Sequence, residues 1–317
     1  MYVDRAQTKT GFRLIQLPSI FQVRTGLRQV IAAACTALPR DTGIAIERRV
    51  RGYEENKKLA RADGVVISFG KSGRTWLRVL ISRYFARKYG LPEGDIMEFD
   101  DFHRRNPAIP VIFFTHDNYI KDYLGSDRKF DTYSGSRVVL LVRDPRDTSV
   151  SQYFQWKHRM VGRKKTINAY PPEDKGIYDF VAGEAAGIPK VLNFMNAWAR
   201  DIERFPNLVV VKYEDLRAAT REQLRRVLIF FGQTPTDDEL DDCVAYASVD
   251  NMRRMERENA DKWNTDSRLK PGDANDPASF KVRRAKVGGW RDYMTEEEAV
   301  HIDRIVREGL LPAFGYD

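Results

Sequence analysis

Cysteine is scarce in this chain: only Cys35 and Cys243 occur in 317 residues. They make no metal-ligand spacing and no disulfide framework. A reducing compartment is the simpler reading. Long apolar runs are missing too. The longest near the start, "VIAAACTAL" (30–38), is too short to span a bilayer. It also lies late for a secretory segment, with Arg28 and Gln29 just before it. It reads as part of a helix packed on the body, with a membrane-surface helix as the secondary reading. Internal repeats and low-complexity tracts are absent.

What is present reads as soluble and globular. Hydrophobic residues make up 42% and charged residues 31%. The length suits one large domain, or two at most, with a sizeable core. The formal charge of +8 and the basic pI suggest an anionic partner. The basic residues are spread along the chain, which argues against a nucleic-acid tract.

Residues 1–61 are helix-biased and basic, and read as an N-terminal helical extension. From residue 62 the pattern alternates strand and helix. "GVVISF" (64–69) is a continuous, β-branched strand candidate. "TWLRVLISRYFARKYG" (75–90) follows with helical spacing, and Gly90 suits its stop. "VIFFTH" (111–116), "RVVLLVRD" (137–144) and "NLVVVKYEDL" (207–216) are further strands, with helical stretches between the last two. This is an α/β pattern: one domain, 62–317, with a central parallel sheet flanked by helices. Ligands of such sheets bind at the C-terminal strand ends.

The notable residues fall at those ends. After the first strand come Gly70, Lys71, Ser72, Gly73, Arg74 and Thr75. Glycines permit a tight turn, and the new helix offers unpaired N–H groups to an anion. Lys71 adds a charge, and Ser72 and Thr75 add hydroxyls. The bland alternative is a strand–turn–helix with a capping hydroxyl. The cradle is like that of P-loop NTPases but is not a Walker A loop. That motif would need glycine at position 65, which is Val65. No strand ends in an Asp placed to organise magnesium, so metal-free anion binding is expected.

The third strand gives a second anion site. Arg143 stands at its end, and Pro145 opens a helix carrying Ser149 and Ser151. Arginine offers a fork of donors suited to phosphate. The alternative is an Arg143–Asp147 ion pair closing the turn. At the end of the second strand stands His116, the one histidine of four so placed. It suits a proton acceptor near neutral pH, or else a buried, hydrogen-bonded histidine. Asp100, Asp101 and Asp117 are rival bases.

"KSGRTW", "TH", "RDPRDTSVS", "VKYEDL" and "RRAKVGGW" resemble, in order and spacing, the sulfotransferases that use 3′-phosphoadenosine 5′-phosphosulfate (PAPS). The resemblance covers about residues 62–315. It implies that the Lys71–Trp76 loop holds the 5′-phosphosulfate, with Lys71 on the leaving oxygen and Trp76 near the adenine. It implies that Arg143 and Ser151 hold the 3′-phosphate and that Arg283 and Arg284 close over it. Tyr213 and Ser248 match nucleotide contacts, and His116 matches the catalytic base. The co-substrate would be PAPS, the product 3′-phosphoadenosine 5′-phosphate (PAP), and no metal would be required. The compartment implied is the cytoplasm.

The chain departs from the family pattern in places. Phe114 stands where a lysine is usual, and Arg74 where threonine is common. Val249 replaces a stacking aromatic, and Ala285 replaces a glycine. The C-terminal dimer motif is not carried over. The acceptor is unidentified: a carbohydrate, phenol, lipid or other small molecule, bearing a hydroxyl or amine. Its walls are sought in 97–106, in 155–190 and in the N-terminal region, with Phe102, Tyr170, Tyr178 and Phe180 as aromatic candidates. Two readings of other classes stand beside this one. One is a nucleotide or small-molecule kinase with a degenerate loop. The other is a non-catalytic polyanion binder, which would show steep salt dependence.

Overall fold

The computed structural model describes residues 30–172, 174–260 and 269–316. Most of the N-terminal extension considered above, residues 1–29, lies outside them. The chain divides into two compact units, Met1–Glu47 and Arg48–Asp317. In the first, residues 30–36 are helical, and Gly43 packs against the Cys35 carbonyl so closely that a Cβ would lie 2.2 Å from it. Helix α1 spans Arg40–Leu59 and so runs past this division. None of the helices searched is long and apolar enough to cross a membrane; only the described residues were searched.

The second unit is built on four parallel strands in the order β2-β1-β3-β4. They are β1 (Gly64–Ser68), β2 (Ile112–Thr115), β3 (Arg137–Val142) and β4 (Leu208–Lys212). Each is shorter at its C-terminal end than the apolar pattern suggests. The residues just beyond, where the chain leaves the ladder, are the ones that form the site. The register pairs Val66 with Phe114, Val66 with Val139, and Leu140 with Val210.

Alternate side chains go to opposite faces of a strand, and here both faces are covered. Val65, Ile67, Phe113, Val138 and Leu140 join a core under α3 (Pro145–His158), α4 (Ile188–Ala199) and α8 (Glu296–Gly309). Val66, Phe114, Val139, Leu141 and Val211 join the opposite core under α2 (Arg74–Tyr89), α5 (Thr220–Phe230) and α6 (Asp237–Tyr246). Near-complete burial on both sides is what the continuous apolar runs of β1, β2 and β3 express, whereas only Val211 of β4 is fully buried. Each such side chain contributes about 1.5–3 kcal/mol.

The helix ends follow local chemistry. Gly90, at φ 64°, closes α2 by donating its N–H to Ala86. Asp144 caps α3, its carboxylate accepting from the Arg146 N–H, with Pro145 at the first position. Thr295 and Glu298 form a capping box that starts α8. That accounts for "MTEEE" as a helix start.

Candidate active site

One cavity of about 740 Å³ opens over the C-terminal ends of all four strands. Phe69 and the loop to Trp76 extend β1 into it, His116 follows β2, Arg143 follows β3, and Tyr213 follows β4. Neighbouring strands sit roughly 4.8 Å apart, so the sheet order sets the spacing of these groups.

The loop after β1 is held in an unusual backbone. Lys71 has φ 72° and Gly73 φ 95°. A Cβ at Gly73 would lie 2.6 Å from the Tyr213 ring, so only glycine lets the loop sit down on it. The Tyr213 ring also lies under the Arg143 guanidinium, 4.3 Å from its centroid, and meets Trp76 edge-on at 6.0 Å. Tyr213 thereby ties the loop after β1 to Arg143 after β3. The Trp76 indole N–H donates to the Ala247 carbonyl at 2.8 Å, which fixes that ring at the cavity wall.

The Lys71 ammonium has no hydrogen-bond or ion-pair partner among the described residues. Burial first, then the nearby Arg159, Arg143 and Arg283, lower its pKa to about 7. Arg143 donates to the Lys71 carbonyl at 3.2 Å and stands 3.6 Å from Asp147, so the turn-closing ion pair does form. Asp147 is nevertheless shared. It accepts the backbone N–H groups of Gly288 and Trp290 at 2.8 and 2.9 Å. Arg143 Nε is buried with no partner. A site whose cations are buried and incompletely paired is one that fits an anion.

A second loop, residues 277–288, closes the cavity opposite. Glu256 anchors it. Its carboxylate accepts the backbone N–H groups of Lys281 and Val282 at 2.6 and 2.9 Å and pairs with Arg159 at 3.0 Å, fully buried. Arg253 holds the Val282 and Arg283 carbonyls. Arg283 lies 3.6 Å from the Phe154 centroid and donates to the Tyr293 hydroxyl. Arg284 is more exposed and pairs with Asp292 at 2.8 Å. Ala285 has φ 53°. The left-handed backbone is kept without the glycine, at a cost of about 1–2 kcal/mol.

His116 Nδ1 is 2.8 Å from the Ser68 carbonyl oxygen. A carbonyl only accepts, so Nδ1 carries the proton and Nε2 of the neutral ring does not. Burial, then the charge of Arg74, holds the His116 pKa well below its ordinary value. The ring is therefore a neutral proton acceptor at pH 7. The rival carboxylates are engaged elsewhere. Asp117 is buried between Lys129 Nζ (2.6 Å) and the Tyr133 hydroxyl (2.8 Å), Asp100 pairs with Arg61 and Arg104, and Asp101 accepts the Glu98 N–H. None lines the cavity.

The structure thus brings Lys71, Gly73, Arg74, Thr75, Trp76, His116, Arg143, Ser151, Tyr213, Arg283 and Arg284 to one cavity. Two expected residues stand elsewhere. Ser72 is buried at 2% exposure and lies off the lining. The Ser248 hydroxyl caps the helix α7 (Val249–Glu258), accepting from Asn251, which leaves Val249 rather than Ser248 on the wall. Of the four aromatics considered for the acceptor, only Tyr170 lines the cavity. Phe102 and Phe180 are core, and the Tyr178 hydroxyl meets His301 at 2.7 Å. The 97–106 stretch does not reach it either.

Several lining or supporting residues carried no sequence signal. Arg78, on α2, lies over the Phe114 ring at 4.2 Å, so a cation occupies the space beside that apolar side chain. Arg217 covers Trp76 at 5.4 Å. Glu256 is one of three acids in its helix, and nothing in "RRMERE" marks it rather than Glu258 as the anchor.

The chain belongs to the sulfotransferase domain family, which it matches over residues 61–311. Cytosolic sulfotransferase 5 of Arabidopsis thaliana is 25% identical over 288 residues, covering 82% of this chain and 83% of that one. The amine sulfotransferase of Oryctolagus cuniculus is 24% identical over 256 residues, covering 78% and 80%. Among solved structures, mouse sulfotransferase SULT7A1 complexed with PAP is similar, with a TM-score of 0.55 at 16% identity over 83% of this chain and 91% of that one. Retinol dehydratase in complex with androsterone and inactive cofactor PAP gives 0.53 at 15%, over 79% and 81%. At those identities the two structures speak for the fold: a single α/β domain around a parallel sheet.

Proposed function

We propose that this chain transfers the sulfuryl group of PAPS to a hydroxyl or amine on a small-molecule acceptor, with residues 62–317 as the catalytic domain and 1–61 as an extension. One observation carries the reading. Buried, incompletely paired cations at Lys71 and Arg143 share a cavity with a neutral histidine whose Nε2 is left to accept a proton. Family membership and the names of the relatives support it.

When bound, PAPS supplies an activated sulfuryl group. Everything else is the work of this chain. His116 Nε2 takes the acceptor proton as the acceptor attacks. Nδ1, held on Ser68, keeps the ring in the tautomer that can do so. Lys71 and the N–H groups at the start of α2 supply positive charge where negative charge develops, fixed beforehand by the loop backbone. Arg143, Ser151 and Arg283 hold the 3′-phosphate. That contact does no chemistry but favours PAPS over ATP, because a site built for a group rejects ligands that lack it. Trp76 and Tyr213 pack the nucleotide side. A cytoplasmic location is inferred, on the names of the cytosolic relatives.

Calorimetric titration with PAP, without magnesium and with ADP as control, tests the reading. PAP binding much tighter than ADP is expected. Equal binding, or none, would sink it.

A further inference from the structure

The cavity that holds His116 is also lined by a lysine outside the strand-end loops. It comes from the chain between α3 and α4. Lys164, in the short helix Gly162–Ile167, lines the cavity. Its ammonium has no hydrogen-bond or ion-pair partner among the described residues. Its electrostatic neighbours are Arg74, Arg51 and Arg159, all cations, and together with burial they lower its pKa. Lys164 acts on His116 as well. Geometry sets this stretch beside the segment that follows His116: Asn168, whose amide donates to the Lys164 carbonyl at 3.0 Å, accepts from the Tyr119 hydroxyl at 3.1 Å.

Both polar and apolar groups surround it on the described lining, Met160 and Val161 among the latter. Asn168 and Tyr170 line the same wall. Lys190 sits 4.0 Å from the Tyr170 centroid. Asp147 is the one carboxylate on the described lining, and it is taken by Arg143 and two backbone N–H groups. A neutral phenol or sterol packed here would cover the Lys164 ammonium without neutralising it, which is costly.

We propose that the acceptor is itself an anion, whose carboxylate or sulfate pairs with Lys164 while its hydroxyl or amine faces His116. This rests on the sulfuryl-transfer reading above. An acidic sugar or a hydroxy acid meets the description.

The test uses the full chain saturated with PAP and a set of matched probes. One scaffold is 4-nitrophenyl β-glucoside, its glucuronide and its 6-sulfate. The other is 4-hydroxyphenylacetate and its methyl ester. Binding is read by calorimetry for the wild type, Lys164→Gln and Lys164→Arg. The charged members should bind about tenfold tighter than the neutral ones, the size expected of a charge-assisted contact. Lys164→Gln should erase that preference and Lys164→Arg restore it, with PAP affinity alike in all three. The glucuronide and the 6-sulfate tell carboxylate from sulfate. The proposal is overturned if charged and neutral members bind alike, if none binds, or if Lys164→Gln keeps the preference. PAP binding by the wild type is a separate readout, and its absence would sink the transfer reading itself.

Discussion

His116, just past β2, is tied to Ser68, the last residue of β1, by a 2.8 Å contact from Nδ1 to the carbonyl oxygen. The proposed base is thus positioned by the strand that also leads into the Lys71 loop. Replacing it with asparagine should lower kcat by roughly 100- to 10,000-fold, the usual worth of a general base, and leave PAP affinity intact. A matching loss of PAP affinity would instead mark His116 as a structural residue.

The pH profile follows from the same ring. Activity needs neutral His116, and its pKa is held below the ordinary imidazole value by burial and Arg74. The rate should therefore hold as pH falls through 6.5 and drop only lower. An acid limb at or above an ordinary histidine pKa would contradict this assignment.

Lys71 gives a proton signature to nucleotide binding. With its pKa lowered to about 7, it is largely neutral at pH 8 in the free protein. A phosphate beside it restores the charge, so PAP binding at pH 8 should take up a proton. Titrations in buffers of different ionisation enthalpy measure this directly. The uptake should shrink at pH 6, where Lys71 is already charged, and in Lys71→Arg.

Two glycines with positive φ separate a local from a functional cost. Gly73 at φ 95° rests on Tyr213, whereas Gly90 at φ 64° has nothing within 4 Å of a built Cβ. Gly90→Ala should cost about 1 kcal/mol of stability and nothing in binding. Gly73→Ala must also displace Tyr213 or the loop, so PAP affinity should fall as well. Equal behaviour of the two variants in PAP titrations would refute the cradle.

Glu256 is completely buried, and it holds Arg159 and the N–H groups of Lys281 and Val282. Glu256→Ala leaves a buried guanidinium uncompensated and should cost about 3–5 kcal/mol in unfolding free energy. PAP affinity should fall with it, because the 277–288 loop loses its anchor. Adding Arg159→Met should recover stability but not affinity.

Much of this was legible in the sequence. Continuous apolar runs marked all four strands; in β1 to β3 the run is unbroken because both faces are covered. Gly90 and Pro145 marked helix ends through their fixed backbone preferences. Lys71, Arg143 and His116 stood out because they follow those strands directly. What the sequence hid is what distant segments supply. Arg78 over Phe114, and Glu256 under the 277–288 loop, depend on helix packing that no local pattern encodes. Ser248 is expected at the nucleotide because it matches a nucleotide-contacting segment of the family. Its hydroxyl starts a helix instead. The 97–106 stretch looked like an acceptor wall, yet Phe102 goes to the core.

The strand ends and the 277–288 loop supply much of the cavity wall, whereas Lys164, Asn168 and Tyr170 come from one stretch of chain between two helices. On the proposed reading, the two halves of the reaction are under separate inheritance, and drift in 160–190 would retarget the acceptor while the sheet and the Arg159–Glu256 pair keep the nucleotide side. A graft of that stretch from a relative is the natural unit of exchange, with undiminished PAP binding as the sign that the boundary was drawn in the right place.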